Sequence, residues 1–114
     1  MQLIHAVVEP TKVDDICDAL QTFGFRGFTV LEAAGFGRRR GDVEIYRGTQ
    51  YRSGFRHRAK IEIVVEDEDV HDTVEIICKI ASTGSLRTGG GKLWITPVSE
   101  MIRMRTREQG SDAL

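Results

Sequence analysis

The sequence predicts an α+β fold in the order strand, helix, strand, long loop, strand, helix, strand, and three observations carry it. In residues 60–65, Ile61, Ile63 and Val65 alternate with Lys60, Glu62 and Val64, the period of two of a half-buried strand. Val13, Ile16, Leu20 and Phe23 fall at helical spacing, and so do Val70, Val74, Ile77 and Ala81. Each stripe lies between short apolar runs, so the chain reads as two similar halves. That order is the ferredoxin-like βαββαβ arrangement: a four-stranded antiparallel sheet, two helices on one face, and a long loop between strands 2 and 3.

Residues 3–8 are a short apolar strand, broken by Glu9 and Pro10. Thr11 to Asp14 has the form of a capping box, with a carboxylate three residues after a hydroxyl cap. Gly24 is a C-terminal stop for the first helix. Residues 27–34, rich in Phe, Thr, Val and Leu, form the second strand. Glu66, Asp67, Glu68 and Asp69 load negative charge onto the start of the second helix, where the helix dipole favours it. Residues 92–97 are the last strand, with Leu93, Trp94, Ile95 and Thr96 at its centre. In the first strand Ile4, Ala6 and Val8 share one face while Leu3, His5 and Val7 share the other, so both are apolar. Such a sheet needs a cover on each face, and residues 99–114 are too polar to be one alone. A homo-oligomer is expected.

The 114 residues are expected as one domain, 1–114, long enough to bury roughly two-thirds of the unfolded surface. Apolar content of 40% and charged content of 29% fit an ordinary soluble globule. There is no apolar run long enough to span a membrane, and the chain opens as a strand rather than a signal segment, so a cytoplasmic location is expected. Cys17 and Cys78 fall on the two helices and are expected as small buried hydrophobes kept reduced. His5, His57 and His71 have no ligand-like spacing, and neither a Ser-His-Asp set nor a clear pair of carboxylates is present. The chain reads as a binding protein without a metal site, not as an enzyme.

Its charge is unevenly spread. Arg38, Arg39, Arg40, Arg47, Arg52, Arg56 and Arg58 stand against Asp42 and Glu44 alone in the long loop, in a chain of net charge -1. That loop presents itself to something anionic. Its length and polarity also predict no fixed structure without a ligand or partner.

Three segments suit a phosphate. Residues 83–92 end in Gly89, Gly90, Gly91 and Lys92, where backbone amides can crowd around an anion and the lysine adds a point charge. This is not a Walker A loop, because Leu93 follows the lysine and opens a strand. In an extended chain Arg103 and Arg105 point to the same side, as a pair of guanidiniums that can clamp a phosphate. Gly35, Phe36, Gly37 and Arg38 make a turn whose glycines allow close backbone approach. Each has a plainer reading as a flexible connection, a pair of solvated charges or a strand-end turn. Together they favour a phosphate-bearing ligand.

These residues also carry a resemblance. Along nearly its whole length the chain resembles the PII nitrogen-regulatory signal-transduction proteins. Gly35-Phe-Gly-Arg38 and Glu44-Ile-Tyr-Arg-Gly48 look like the two ends of the family's T-loop, residues 37–58, with Tyr51 at the tip. Residues 83–92 look like its B-loop, and Arg103, Met104, Arg105 and Thr106, within the C-terminal segment 99–114, look like its nucleotide clamp. The resemblance implies a homotrimer in which ATP and ADP compete for clefts between subunits. It implies Thr29 and Val64 against adenine and ribose. Gly35, Gly37, Arg38, Gly89, Gly90, Gly91, Lys92, Arg103 and Arg105 would then surround the phosphates, with Glu62 paired to Lys92 in support. It further implies a T-loop that grips a target, either a membrane transporter or a metabolic enzyme, and changes shape with the bound nucleotide. Neither nucleic-acid binding nor membrane insertion is implied.

The chain departs from the family at Arg39, where the family usually has a glutamine that helps hold magnesium and 2-oxoglutarate. Arginine has no acceptor with which to ligate a cation, though its charge can sit beside phosphates. The B-loop is longer than the family's and lacks its aspartate. Nucleotide binding is expected to survive; magnesium and 2-oxoglutarate are left open. Tyr51 is either an acceptor for nucleotidyl transfer or a partner contact. A second class fits the same fold, an RNA-binding module using the arginine-rich loop. Against it, the third strand lacks aromatic stacking positions.

Overall fold

A computed structural model of the protein describes residues 1–36, 44–46, 49–51, 55–83 and 91–114, without the side chains of 36, 44–46 and 49–51. The elements are β1 (Gln2–Val8), α1 (Val13–Phe23), β2 (Thr29–Phe36), β3 (Glu44–Tyr46), β4 (Thr49–Tyr51), β5 (Phe55–Val65), α2 (Val70–Ala81) and β6 (Lys92–Pro97). β2, β5, β1 and β6 form one antiparallel sheet in that order. This is the expected ferredoxin-like βαββαβ fold, with β5 as its third strand.

Two parts of the long connection differ from expectation. β3 and β4 pair as a separate ladder, with Glu44 opposite Tyr51 and Tyr46 opposite Thr49. The β2–β5 ladder also runs on to Phe36 opposite Phe55, so residues 55–58 belong to the sheet and not to the loop. Arg56 and Arg58 hid this in the sequence. They share a parity with Lys60, on the face away from the helices, where a charge need not be desolvated.

The helices lie on the face that carries Ile4, Ala6 and Val8 of β1 and Ala59, Ile61, Ile63 and Val65 of β5. Ile16 and Leu20 of α1 and Ile77 of α2 complete that buried core. α1 stops where expected: Gly24 has φ 119, and its amide donates to the carbonyls of Leu20 and Gln21. Its start differs from the expected capping box. Pro10–Lys12 is a 3-10 turn, the cap position falls on Lys12, and no side chain caps the helix. The proline sets that turn, so Thr11 lies inside it. Thr73, fully buried in α2, returns its hydroxyl to the Asp69 carbonyl at 2.7 Å. Cys17 and Cys78 are free thiols on the helices, but neither is core: Cys17 is half-buried and Cys78 exposed. Burial, then the carboxylates of Asp14 and Asp18, push the Cys17 thiol up from its ordinary value.

Among the described residues no element covers the other face. Leu3, Val7 and Val64 are half-buried there, and Leu31 and Trp94 remain 43% and 42% exposed. At the two edges of the helix face Val30 and Ile95 are 44% and 41% exposed. No helix among the described residues is long and apolar enough to cross a membrane. Ile61 is fully buried in a central strand. Ile61→Ala should therefore cost about 2–5 kcal/mol, read by urea unfolding at one fixed protein concentration.

Candidate functional site

Gly91 and Lys92 sit where β6 begins, with Lys92 opposite Val7 of β1. Gly91 has φ +88, and a Cβ there would run into the Val7 carbonyl oxygen. Val8 Cα would lie only 3.3 Å from it. Glycine thus lets the chain turn tightly against the end of β1 and start β6 in register. Lys92 is exposed and makes no ion pair among the described residues, so its ammonium is available to an anion. A cavity of about 260 Å³ beneath this corner is lined mostly by apolar groups, Val8, Ile77, Ala81 and Leu93 among them, with Ser82 and Lys92 also on its wall.

The uncovered face of β5 carries Arg56, Arg58, Lys60, Glu62 and Val64. Gly35 pairs with Arg56, and a Cβ at position 35 would meet Arg58 Cγ at 3.4 Å. Thr29, exposed, pairs with Glu62 at the start of β2. Glu62 does not pair with Lys92 within the chain. It pairs with Lys60 at 3.2 Å, two residues away on the same face, while Lys92 lies on β6 beyond β1.

Glu62 belongs to a cluster that sequence reasoning missed. His5 stacks on Trp94 with centroids 5.1 Å apart, and its Nε2 shares a hydrogen bond with Thr96 Oγ1 at 3.0 Å. Its Nδ1 lies 4.0 Å from Glu62 and is buried without a hydrogen-bond partner among the described residues. Lys60 Nζ stands 5.3 Å from the Trp94 ring centroid. The signal was present: strand pairing sets His5 between Glu62 and Trp94, and a histidine considered alone conceals that.

Arg103 and Arg105 are not on an extended strand. Ile102 bridges to Gln109, the Arg103 amide donates to the Glu108 carbonyl at 2.9 Å, and residues 104–106 turn between them. Arg107 takes φ 64 to close that turn. The alternation that would put both guanidiniums on one side therefore does not apply. Arg103 Nη2 donates to the Leu114 oxygen at 2.8 Å, whereas Arg105 is exposed with no partner among the described residues.

A single chain does not gather these groups. Thr29 and Gly35 lie on β2 at one edge of the sheet, and Gly91 and Lys92 lie at the start of the other edge strand, with β5 and β1 between. Val64 is on β5. The chain leaves β6 at the end away from Lys92, where the Val98 amide meets the Met1 carbonyl, and Arg103 and Arg105 follow there. Gly37, Arg38, Arg39, Gly89, Gly90 and the Tyr51 side chain lie outside the described residues.

The family described as Nitrogen regulatory protein P-II matches residues 1–108. The chain belongs to the P-II family. It is 46% identical over 114 residues to a nitrogen regulatory protein P-II of Azospirillum brasilense, covering 100% of both chains. Over the same full lengths it is 44% identical to that of Rhizobium meliloti and 40% identical to that of Haemophilus influenzae. P-II membership makes this a signal-transduction protein of nitrogen regulation and not an enzyme. The RNA-binding alternative loses its ground. Ile61, Ile63 and Val65 face the helices, and the open face of β5 offers Lys60, Glu62 and Val64 instead of stacking aromatics. For this P-II chain, Gly91→Ala should cost roughly 1–3 kcal/mol through positive-φ strain and the clash with Val7, measured by chemical denaturation.

Proposed function

We propose that three copies of this chain assemble through the uncovered faces and edges of their sheets and bind ATP or ADP in the clefts between neighbours. In the bound state Gly37, Arg38, Gly89, Gly90, Gly91 and Lys92 hold phosphates, with Arg103 and Arg105 reaching the same group. Thr29 and Val64 line the adenine and ribose side, and Gly35 stands with the phosphate-side residues. The connection between β2 and β5 then controls a target protein, a membrane transporter or an enzyme of nitrogen or carbon metabolism, in the cytoplasm. Tyr51 is its point of nucleotidyl modification or of partner contact.

One observation carries the reading. Thr29 and Gly35 on β2 and Gly91 and Lys92 at the start of β6 stand at opposite edges of one sheet, which supports a site shared between copies of a P-II chain. Two more support it. Lys92 and Arg105 lack internal partners among the described residues, and Arg56, Arg58 and Lys60 run as a positive column along the open face of β5. A cleft lined by such charge concentrates anions.

Residue 39 does not fit a magnesium ligand, because arginine offers only donors. Its charge beside the phosphates takes part of the role a cation would play. Calorimetric titration with ATP and ADP, with and without magnesium and 2-oxoglutarate, tests the proposal. We expect both nucleotides to bind and 2-oxoglutarate to add no affinity. Lys92→Ala should weaken ATP by about tenfold, the worth of one charge-assisted contact. Absence of binding at millimolar nucleotide would remove the phosphate site; tighter ATP binding with 2-oxoglutarate would show that Arg39 is tolerated.

A further inference from the structure

The hairpin after β6 holds one guanidinium in an unusual bind. Its neck is fixed by the Arg103 amide on the Glu108 carbonyl at 2.9 Å and the Gly110 amide on the Met101 carbonyl at 2.9 Å. The 3-10 turn Gly110–Ala113 then folds back, with Ala113 buried at 5% exposure. This return brings the end of the segment to the Arg103 side chain. Nη2 donates to the Leu114 oxygen at 2.8 Å and lies 3.5 Å from the Ala113 oxygen, while Nη1 is 3.8 Å from a Glu108 carboxylate oxygen. Nη2 is thus tied to the main chain, while Nη1 faces a carboxylate from beyond hydrogen-bond distance. A phosphate that takes Nη2 in a bidentate contact must displace the Leu114 oxygen.

We infer that residues 108–114 are a clasp closed over Arg103, and that a phosphate group taking this guanidinium opens it. The inference rests on the nucleotide reading above and adds a regulation to it. The exchange favours the phosphate once it is near, because a multiply charged phosphate chain attracts a guanidinium more strongly than these main-chain oxygens do. The Glu108 pair is half-exposed and screened, so it contributes little to closure. The main-chain oxygens of Ala113 and Leu114, positioned by the buried Ala113 methyl, supply most of it. Arg105, which has no such tie among the described residues, is free to meet the anion first. Arg103 is the group whose capture is coupled to a change of shape, so nucleotide occupancy is reported at the C-terminal segment as well as in the T-loop.

Two measurements test this. The first is ATP affinity by calorimetry for the full chain, for a chain lacking residues 111–114, and for that shortened chain carrying Arg103→Ala. Removing the clasp should strengthen ATP binding about tenfold, the equivalent of one hydrogen bond to a charged group, and Arg103→Ala should abolish the gain. The second is amide hydrogen exchange of residues 110–114 in the full chain with and without ATP, which decides the matter if the shortened chain does not fold. Faster exchange with ATP is expected. If the full chain binds ATP while exchange in 110–114 is unchanged or slower, the clasp is overturned and the nucleotide site stands. If no form of the protein binds ATP, the nucleotide reading falls and the clasp with it.

Discussion

Among the described residues the sheet has one face packed against helices and one face that no element covers, and the rest of the molecule depends on that imbalance. β1 and β5 alternate so strictly that Ile4, Ala6, Val8, Ile61, Ile63 and Val65 all go under the helices. The same pleat must then send Leu3, Val7, Val64, Leu31 and Trp94 to the other side. An antiparallel sheet tolerates a solvated face when that face is polar. This one is apolar with a charged cluster set into it, the composition of a surface that is covered in the working protein. The edges repeat the point, since Val30 and Ile95 share the helix side yet stay substantially exposed.

The cluster of His5, Lys60, Glu62, Trp94 and Thr96 gives that face a shape as well as a polarity. Its pairs are side by side on neighbouring strands, so the sheet register itself holds them. Burying such a group between copies costs desolvation unless its remaining donors and acceptors are matched. His5 Nδ1, buried without a partner among the described residues, is the group that would need one. A charged network of this kind favours one relative placement of copies over others. In the proposed assembly such a placement would bring a β2 edge and a β6 edge together around a ligand.

Much of this was legible in the sequence where a pattern is local. Periods of two and of about 3.6 located the core strands and helices, and Gly24 ended α1 as its left-handed conformation requires. The family resemblance was legible for the same reason: its motifs are short and ordered along the chain. What failed depended on long-range geometry. The Thr11 capping box gave way to a turn set by Pro10. Arg103 and Arg105 were read as an extended pair, although Arg107 at positive φ closes a turn that parts their roles. The strand at residues 55–58 was hidden because arginines on an open face look like a loop. No part of the sequence announced that the Leu114 oxygen would return to Arg103.

The claim on which everything else rests is that a complete site exists only between copies. Native mass spectrometry of the full chain, titrated with ATP across a dilution series, tests it most directly. An assembly of three chains carrying up to three nucleotides is expected, with single chains that carry none as dilution breaks the assembly. Single chains holding one ATP each would contradict it, because one sheet would then have assembled the site alone.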